Sequence, residues 1–292
     1  MSSGRSNEAT RWPISRRRES AGQTTQVRRT RGHPTNGAQV TLSGSGASWS
    51  SGASAKAWHP IPIPARERDP HNAHDNFFLD QEDYVREQGA KHGFTYTALR
   101  PQLVTGPTPG ALNVIPAIGV YAAVRRELGE PFGFTGGPSF VWEAADADLV
   151  AHVMVWAAQS PQAGNEAFNI TNGDVFEWRN VWPALAKTLG VETGPDTPMS
   201  MATYLADHSE VWDRIVARYG LRPLSLRQLV GHGDQHADFA FAYGAPEGPR
   251  AFVSTVKLRQ AGFTKTIDTE DSFRNALQSL IDHKFLPPPA AT

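Results

Sequence analysis

The stretch that decides the fold reads Asn165-Glu-Ala-Phe-Asn-Ile-Thr-Asn-Gly-Asp-Val-Phe-Glu-Trp178. Its first part, Glu166–Ile170, predicts a short strand. Asn172-Gly173 is a pair typical of turns. A helix is predicted from Trp178 to Leu189, and Gly190 is expected to end it because glycine tolerates the left-handed conformation of many helix ends. A strand, a turn and a helix therefore follow one another directly.

The same alternation continues on both sides of this stretch. Apolar residues at helical spacing and capping residues predict further helices, and Pro116 is expected in a first turn or at a kink. Strands that alternate with helices indicate the α/β class. The predicted elements are a helix over 80–92, a strand over 94–99 closed by Arg100-Pro101, a helix over 111–128, a helix capped by Asp146 or Asp148 and running to Gln159, a helix over 210–219 capped by Ser209, and a final helix from Asp268 or Thr269 that ends before Pro287.

The composition is that of a folded globular chain. The sequence has 292 residues, of which 39% are hydrophobic and 20% charged, and its net charge is −1. The apolar content supports a core, and the charge balance gives no global electrostatic case for nucleic-acid binding. The absence of cysteine excludes disulfides, thiolate metal ligands and a cysteine nucleophile. The longest purely apolar run, residues 114–124, is too short to span a bilayer, so we expect a cytoplasmic protein with no membrane partner.

Residues 1–55 differ from the rest of the chain. They contain eight arginines, two glutamates, no lysine and no aspartate, with many Ser, Gly and Thr residues. Such a segment buries too little apolar surface to offset its ordering entropy, so it is predicted to be a disordered arm. Three interpretations compete: a transit peptide, a basic arm for nucleic acid, and a non-native leader from a start or frame error. We favour the third, with residues 56–292 forming the α/β unit.

Two motifs suggest binding chemistry. Gly44-Ser-Gly46-Ala-Ser-Trp49 resembles a phosphate-binding turn, but Trp49 replaces the third glycine and no helix pattern follows, so a flexible linker is the favoured interpretation. His232-Gly-Asp234-Gln-His236-Ala-Asp238 would place four potential metal ligands on one side of a strand. No pattern specifies a coordination geometry, so we favour a polar hydrogen-bonding segment and predict no metal site.

Two further patterns receive ordinary structural interpretations. Glu82 and Asp83 are adjacent and cannot face each other as a carboxylate pair on a helix, so a solvated helix face is expected. Asn169-Ile-Thr171 matches the glycosylation acceptor pattern, and without a secretory signal we interpret the match as accidental.

From about residue 56 onward, the chain resembles an atypical, extended short-chain dehydrogenase/reductase of the progesterone 5β-reductase/iridoid synthase-like family. Several ordered segments carry the resemblance over more than two hundred residues. They are 76–83 (Asn-Phe-Phe-Leu-Asp-Gln-Glu-Asp), 99–107 (Leu-Arg-Pro-Gln-Leu-Val-Thr-Gly-Pro), 113–123, 144–149, the opening stretch 165–178, and 254–263 (Ser-Thr-Val-Lys-Leu-Arg-Gln-Ala-Gly-Phe). The resemblance implies a partial Rossmann-like fold that contains the C-terminal portion and the substrate-binding region.

The resemblance also implies a function. Family members use NADP(H) to reduce the C=C bond of an enone, which here means a ketosteroid-like or smaller carbonyl compound. A preorganised donor stabilises the charge that develops on the enolate oxygen. A homodimer is expected, with no nucleic-acid partner. The implied cofactor-binding residues are Arg100, Pro101, Leu103, Val104 and Thr105, and the implied substrate-binding residues are Asn113, Phe140, Trp142 and His232.

The chain departs from the family pattern at its catalytic groups. Lys56 matches the family's catalytic lysine, but Phe78 and Leu79 stand where the family has a tyrosine hydroxyl. Tyr84 is one to two helical turns away and is not a simple replacement. Residues 1–55 do not supply the first nucleotide-binding half, so we expect a truncated or frame-shifted chain with little or no activity.

These departures leave other functions open. A non-catalytic small-ligand-binding protein of the same ancestry is the main alternative. A nucleic-acid binder that uses the basic arm is a third. Because the missing strands would leave a sheet edge open, we also expect marginal stability or self-association.

Overall fold

The computed structural model describes the backbone of residues 38–42 and, in full, residues 62–70 and 77–290. Within these ranges the chain forms five β-strands, ten α-helices and one short 3₁₀ helix. In chain order they are β1 (Ala38–Leu42), α1 (Phe77–His92), β2 (Thr95–Pro101), β3 (Leu103–Thr105), α2 (Val114–Glu127), β4 (Ala144–Asp146), α3 (Ala147–Gln159), the 3₁₀ helix (Pro161–Ala163), β5 (Glu166–Ile170), α4 (Trp178–Leu189), α5 (Met201–Asp207), α6 (Ser209–Tyr219), α7 (Leu226–Val230), α8 (Gly233–Ala240), α9 (Val256–Gln260) and α10 (Thr269–Asp282).

Three strands form a parallel sheet in the order β1-β2-β5, and β3 pairs in parallel with β4. In the sheet, Leu99 of β2 lies opposite Leu42 of β1 and Phe168 of β5. Parallel neighbours need crossover connections. Helix α1 lies between β1 and β2 in the chain, and α2 and α3 lie between β2 and β5. The predicted α/β class is therefore confirmed.

Most predicted elements are found close to their predicted positions. β5 and α4 have the predicted bounds, and Asp146 caps α3 by accepting hydrogen bonds from the backbone N–H groups of Asp148 and Leu149. Pro116 lies in the first turn of α2. Two boundaries differ, because α1 begins at Phe77 and β2 continues through Arg100-Pro101.

The segment 1–55, predicted to lack regular structure, contains β1. These five residues pair along β2, so the edge of β2 that was expected to be open carries a strand. The physical reason is that an unpaired parallel edge offers a row of N–H and C=O groups to any extended segment that reaches it. The rest of 1–55, including the glycine-rich motif at 44–49, lies outside the described residues, and so does Lys56.

Helix α2 is the centre of the larger of two hydrophobic clusters. Every residue from Val114 to Arg125 is buried. Helices α4, α6, α8 and α10 pack around α2, which explains why the longest apolar run in the sequence coincides with it. In the described part of the chain, no helix combines the length and apolar character that crossing a bilayer requires.

The smaller cluster lies on the sheet. Leu99 and Phe168 pack there with Leu149 and Val153 of α3 and with Phe263. The outer side of β5 is covered by side-chain hydrogen bonds.

On that side, the backbone N–H of Asn169 donates to Oε1 of Glu67 (2.8 Å), and its Nδ2 donates to the carbonyl oxygens of Ala65 and Ser254 (both 3.2 Å). Asn169 is only 3% exposed. The glycosylation pattern at this residue is therefore not a surface site in this fold.

Asn172, at the turn in the opening stretch, joins four elements through a fully buried amide. Its Oδ1 accepts from the N–H of Asp146 (2.6 Å), and its Nδ2 donates to the hydroxyl of Thr269 (3.1 Å). Its backbone N–H donates to Ala144 and its carbonyl accepts from Ile267. Asn172, which follows β5, therefore fixes β4, the cap of α3 and the start of α10.

Two carboxylates extend this network. Asp146 also accepts from the hydroxyl of Ser272, and Asp174 accepts from the N–H and the hydroxyl of Thr269. Thr269 and Ser272 are almost completely buried, at 1% and 2% exposure. Because buried polar groups are costly when unpaired, the network fixes one arrangement of the elements around it.

We predict that Asn172→Ala lowers the free energy of unfolding by about 2–4 kcal/mol, because it leaves the Asp146 N–H without a buried partner and removes the hydrogen bond that the Thr269 hydroxyl accepts. The control Asn180→Ala removes an exposed amide of α4 and should cost no more than about 0.5 kcal/mol. Urea unfolding followed by far-UV circular dichroism measures both. Equal costs for the two variants would contradict this role of Asn172.

Candidate functional site

The first turn of α1 lies near the carboxyl end of β2. Helix α1 ends at His92, just before β2 begins, so the two elements run in opposite directions. Glu82 of α1 binds Arg100 near the end of β2, with Nε to Oε1 at 2.8 Å and Nη2 to Oε2 at 2.6 Å. Phe78 precedes Glu82 by one turn on the same helix face. Phe78 therefore lies near the carboxyl end of β2.

The Glu82–Arg100 ion pair corrects the expectation that Glu82 faces solvent, because its side chain is only 1% exposed. Arg100, implied as a cofactor contact, holds Glu82 through both guanidinium contacts. Helical periodicity shows which residues share a face, but it does not show that a strand 18 residues later supplies a cation. In this structure Arg100 anchors α1 to β2.

The implied cofactor segment follows directly from β2. Pro101 ends the strand, and the N–H of Gln102 donates to the carbonyl of Ile170 at the end of β5 (3.1 Å). In β3, Leu103 and Thr105 are buried, whereas Val104 is 39% exposed. The segment therefore lies at the carboxyl ends of two parallel strands, where open α/β sheets bind nucleotides.

Two features of this segment determine how well it fits a dinucleotide. The hydroxyl of Thr105 is buried and has no hydrogen-bond partner among the described residues, which fits a position next to a polar ligand. For the phosphates, residues 62–70 and 77–290 contain no Gly-x-Gly-x-x-Gly turn between a strand and a helix. The described residues therefore fit one side of a dinucleotide, but they contain no turn of the kind that binds its phosphates.

Asn113 organises the loop between β3 and α2. Its Oδ1 accepts from the N–H of Ile115 and caps α2, and its Nδ2 donates to the carbonyl of Gly106. The backbone of Asn113 lies so close to Gly233 of α8 that a methyl group on Gly233 would overlap it. Asn113 therefore determines how this loop meets α8.

The polar cluster 232–238 belongs to a helix, which corrects the predicted strand geometry. Its side chains do not converge on one point. His232 Nδ1 lies 3.0 Å from Nη2 of Arg227, and the carboxylate of Asp234 accepts from the same guanidinium at 3.3 Å. Asp238 accepts from the start of α5, while His236 points into the core. Within the residues that the structure describes, no group of three such side chains is arranged to hold a metal ion.

Four side chains form what we call the aromatic wall: Phe140, Trp142, His236 and Phe239. Neighbouring ring centroids in it are 5.7 Å apart (Phe140–Trp142), 6.1 Å (Trp142–Phe239) and 6.2 Å (Phe239–His236). Burial lowers the pKa of His236 to about 4, although a hydrogen bond with the backbone of Leu112 opposes the shift. The wall therefore presents neutral, largely apolar surface beside Asn113.

Glu143 follows Trp142 of the aromatic wall, and the sequence patterns did not predict it as a site residue. Its Oε2 accepts from the N–H of Val253 (2.8 Å), and Gln102 hydrogen-bonds with it while donating to the carbonyl of Ala251 (3.0 Å). Burial raises the pKa of Glu143 from 4.5 to about 7, against the opposing effect of these two hydrogen bonds. A glutamate beside the apolar strand Ala144–Asp146 is the sequence signal that could have revealed it.

The structure brings some of the implied site residues together and separates others. Asn113 lies against Gly233 of α8, and Phe140 and Trp142 meet each other near Phe239 of the same helix, whereas His232 lies at the start of α8 against Arg227. Phe78 and Leu79 are half-buried in the first turn of α1, and Tyr84 is 53% exposed. His236, Phe239 and Glu143 are additional members that only the packing identifies.

Because the pKa of Glu143 is raised in the fold, its protonated form is favoured by folding. Its effect on stability is therefore most favourable below pH 4.5 and is lost as the pH rises through about 7, by about 1.4 kcal/mol for each unit between the two pKa values. We predict that Glu143→Gln removes this loss and is more stable than the wild type at pH 8. Thermal melts from pH 4 to pH 8 measure the difference between the two proteins.

Two comparisons sharpen this measurement. His236 acts with the opposite sign, since its lowered pKa makes stability fall as the pH drops below 6.5, and it contributes equally to both proteins. Glu87→Gln changes an exposed residue of α1 and should leave the pH profile unchanged. Parallel profiles for the wild type and Glu143→Gln would show that the pKa of Glu143 is not raised.

Known proteins are similar to this chain in sequence and in fold. An (S)-8-oxocitronellyl enol synthase from Antirrhinum majus is 33% identical over 237 residues, which is 78% of this chain and 59% of that protein. The short chain dehydrogenase gsfE from Penicillium aethiopicum is 31% identical over 73% of this chain and 61% of its own length. The structure of RMD from Pseudomonas aeruginosa complexed with NADPH superimposes with a TM-score of 0.52 at 17% identity, covering 84% of this chain and 66% of that one.

The chain thus spans about three fifths of the length of the curated relatives that it matches. Because the identity to the solved structure is only 17%, the superposition supports the fold and nothing more. Residues 59–287 match the family described as the PRISE-like Rossmann-fold domain. This match covers most of the chain and agrees with the parallel sheet and its crossover helices, so the chain belongs to the PRISE-like Rossmann-fold family.

Proposed function

We propose that this chain carries the substrate side of an NADP(H)-dependent reductase that acts on the C=C bond of an enone in a small carbonyl compound. One observation carries the proposal: the β2–β3 segment and the face of α1 that holds Phe78 both lie at the carboxyl end of the parallel strands. Ligands of open α/β sheets bind at this end. The similarity to enol synthases indicates carbonyl chemistry.

The residues of this chain would bind and orient the substrate. NADP(H), when bound, would supply the hydride. Val104 presents exposed apolar surface at the strand end, and the aromatic wall with Asn113 would form a side from which water is excluded. Electrostatic interactions with a carbonyl oxygen are stronger in such a dry site than in water.

The extent of the activity belongs to the same proposal. Phe78 and Leu79 have no hydroxyl, and Tyr84 is exposed, so the described residues of α1 provide no tyrosine donor in the first turn. We therefore infer a slow reductase. We also propose that the protein forms a homodimer and is located in the cytoplasm.

A non-catalytic carbonyl-binding protein is the second candidate. The same substitution at Phe78 and Leu79 favours it, since an apolar surface in place of the donor suits binding better than turnover. The two candidates differ in one measurable respect. A reductase requires NADPH for its effect on the ligand, whereas a binding protein retains its affinity without the cofactor.

We expect the purified chain to bind NADPH saturably and to reduce citral or testosterone slowly. A titration of nicotinamide fluorescence measures binding, and the loss of NADPH absorbance with product analysis measures reduction. Absence of saturable binding at millimolar NADPH would overturn the reductase proposal. Citral or testosterone binding without NADPH would then support the second candidate.

A hydroxyl restored at position 78 should increase the rate. We predict that Phe78→Tyr raises the NADPH-dependent reduction of citral by at least about tenfold, because a donor near the carboxyl end of β2 stabilises developing charge on oxygen. Phe77→Tyr places the same hydroxyl on a 55% exposed neighbour and should leave the rate unchanged. Equal rates for both variants and the wild type would contradict the placement of the site at this end of α1.

A further inference from the structure

Trp142 carries a buried indole N–H for which the described part of the chain provides no hydrogen-bond acceptor. The side chain lies in the larger hydrophobic cluster and is only 5% exposed. An unsatisfied buried donor costs about 1–3 kcal/mol and calls for a specific explanation. A ligand or an ordered water can supply the acceptor that the protein does not.

Other buried tryptophans show what a structural role looks like in this protein. The indole N–H of Trp182 donates to the carbonyl of Phe132, and that of Trp212 donates to the carbonyl of Leu224, both at 3.2 Å. Both side chains fill the larger cluster and satisfy their donors within it. The free donor of Trp142 is therefore not a general consequence of packing an indole in this core.

Trp178 also has an N–H without an acceptor among the described residues, but its surroundings differ. Its ring stacks on Phe273 at 5.3 Å and meets Phe241 edge-on at 4.7 Å, and both of those rings are completely buried. Core side chains thus enclose Trp178. Trp142 and Trp178 share the same unsatisfied group in two different positions, which makes Trp178 a matched control.

The rings next to Trp142 lie at the boundary of the core. Phe140 and Phe239 are half-buried, and Val141, between Phe140 and Trp142, is 38% exposed. Phe140 packs against Gly248 so closely that a methyl group there would overlap its ring. Trp142 thus packs against rings that are themselves partly exposed, whereas the rings against Trp178 are completely buried.

We propose that the indole N–H of Trp142 is the hydrogen-bond donor for the carbonyl oxygen of a bound small molecule, with Phe140 and Phe239 covering its apolar part. The proposal deepens the proposed function, on which it rests for the class of ligand. An indole only donates and does not release its proton near neutral pH. Trp142 would therefore hold and polarise the carbonyl, while any proton delivered to the product would come from another group.

The test uses testosterone labelled with carbon-13 at its enone carbonyl, and the full chain without cofactor. Isothermal titration measures affinity, and difference infrared spectroscopy measures the carbonyl stretch. We expect a lower carbonyl frequency in the bound ligand than in an aprotic solvent. Trp142→Phe should weaken binding by about fivefold to tenfold and return the frequency to the aprotic value.

Two controls separate the donor from packing. Trp178→Phe should change neither the affinity nor the frequency. The deoxy analogue of testosterone that lacks the enone carbonyl should bind wild type and Trp142→Phe equally, because it offers no acceptor to the indole. Thermal melts confirm that the variants are folded, and the wild-type infrared spectrum tests the proposal even if Trp142→Phe does not fold.

The outcomes distinguish this proposal from the proposed function. Testosterone that binds the wild type with an unshifted carbonyl frequency would overturn the role of Trp142 and leave the proposed function standing. A shifted frequency that persists in Trp142→Phe would overturn it as well, because an ordered water or another donor would then hold the oxygen. Failure of both testosterone and citral to bind the wild type, with NADP⁺ present as well as in its absence, would overturn both proposals.

Discussion

The hydrogen bonds of the buried Asn172 amide hold β4 and the starts of α3 and α10 together beyond the end of β5. Asn172 lies two residues beyond β5, and its polar atoms hydrogen-bond with both ends of β4, with Thr269 at the start of α10 and with Ile267 just before it. Through Asp146 it fixes the start of α3, and through Thr269 it fixes the start of α10. Since no water replaces a lost partner at this depth, the network favours a single arrangement of β4, β5 and α10.

The candidate site inherits its geometry from this framework. Strand β4 follows directly from the segment that carries Phe140, Trp142 and Glu143, so the position of β4 sets the position of the aromatic wall. Its partner β3 holds the implied cofactor segment, and Asn113 connects that strand to the fully buried helix α2. Helices and strands thus support both sides of the site, while the rings of Phe140 and Phe239 are half-buried at its edge.

Local patterns predicted much of the fold because local forces form these elements. The strand Glu166–Ile170, the helix Trp178–Leu189 with its left-handed Gly190 and the Asp146 cap each depend on residues a few positions apart. The predictions were wrong where a residue distant in sequence determines the local structure. Glu82 is buried because Arg100 neutralises it, the 232–238 cluster is a helix because α8 packs on Asn113 and the elements near it, and residues 38–42 form a strand because β2 offers an edge.

Local patterns and ordered motifs in the amino-acid sequence predicted the α/β class, the positions of most elements in the chain and the family to which the chain belongs. The sequence also showed that Phe78 and Leu79 lack the hydroxyl expected in the family. The tertiary structure alone decided which side chains face one another: Arg100 with Glu82, Glu143 with Val253, and Trp142 with two half-buried rings. The physical reason is that burial, and with it the cost of an unpaired polar group, is a property of the packed chain and not of any local window of residues.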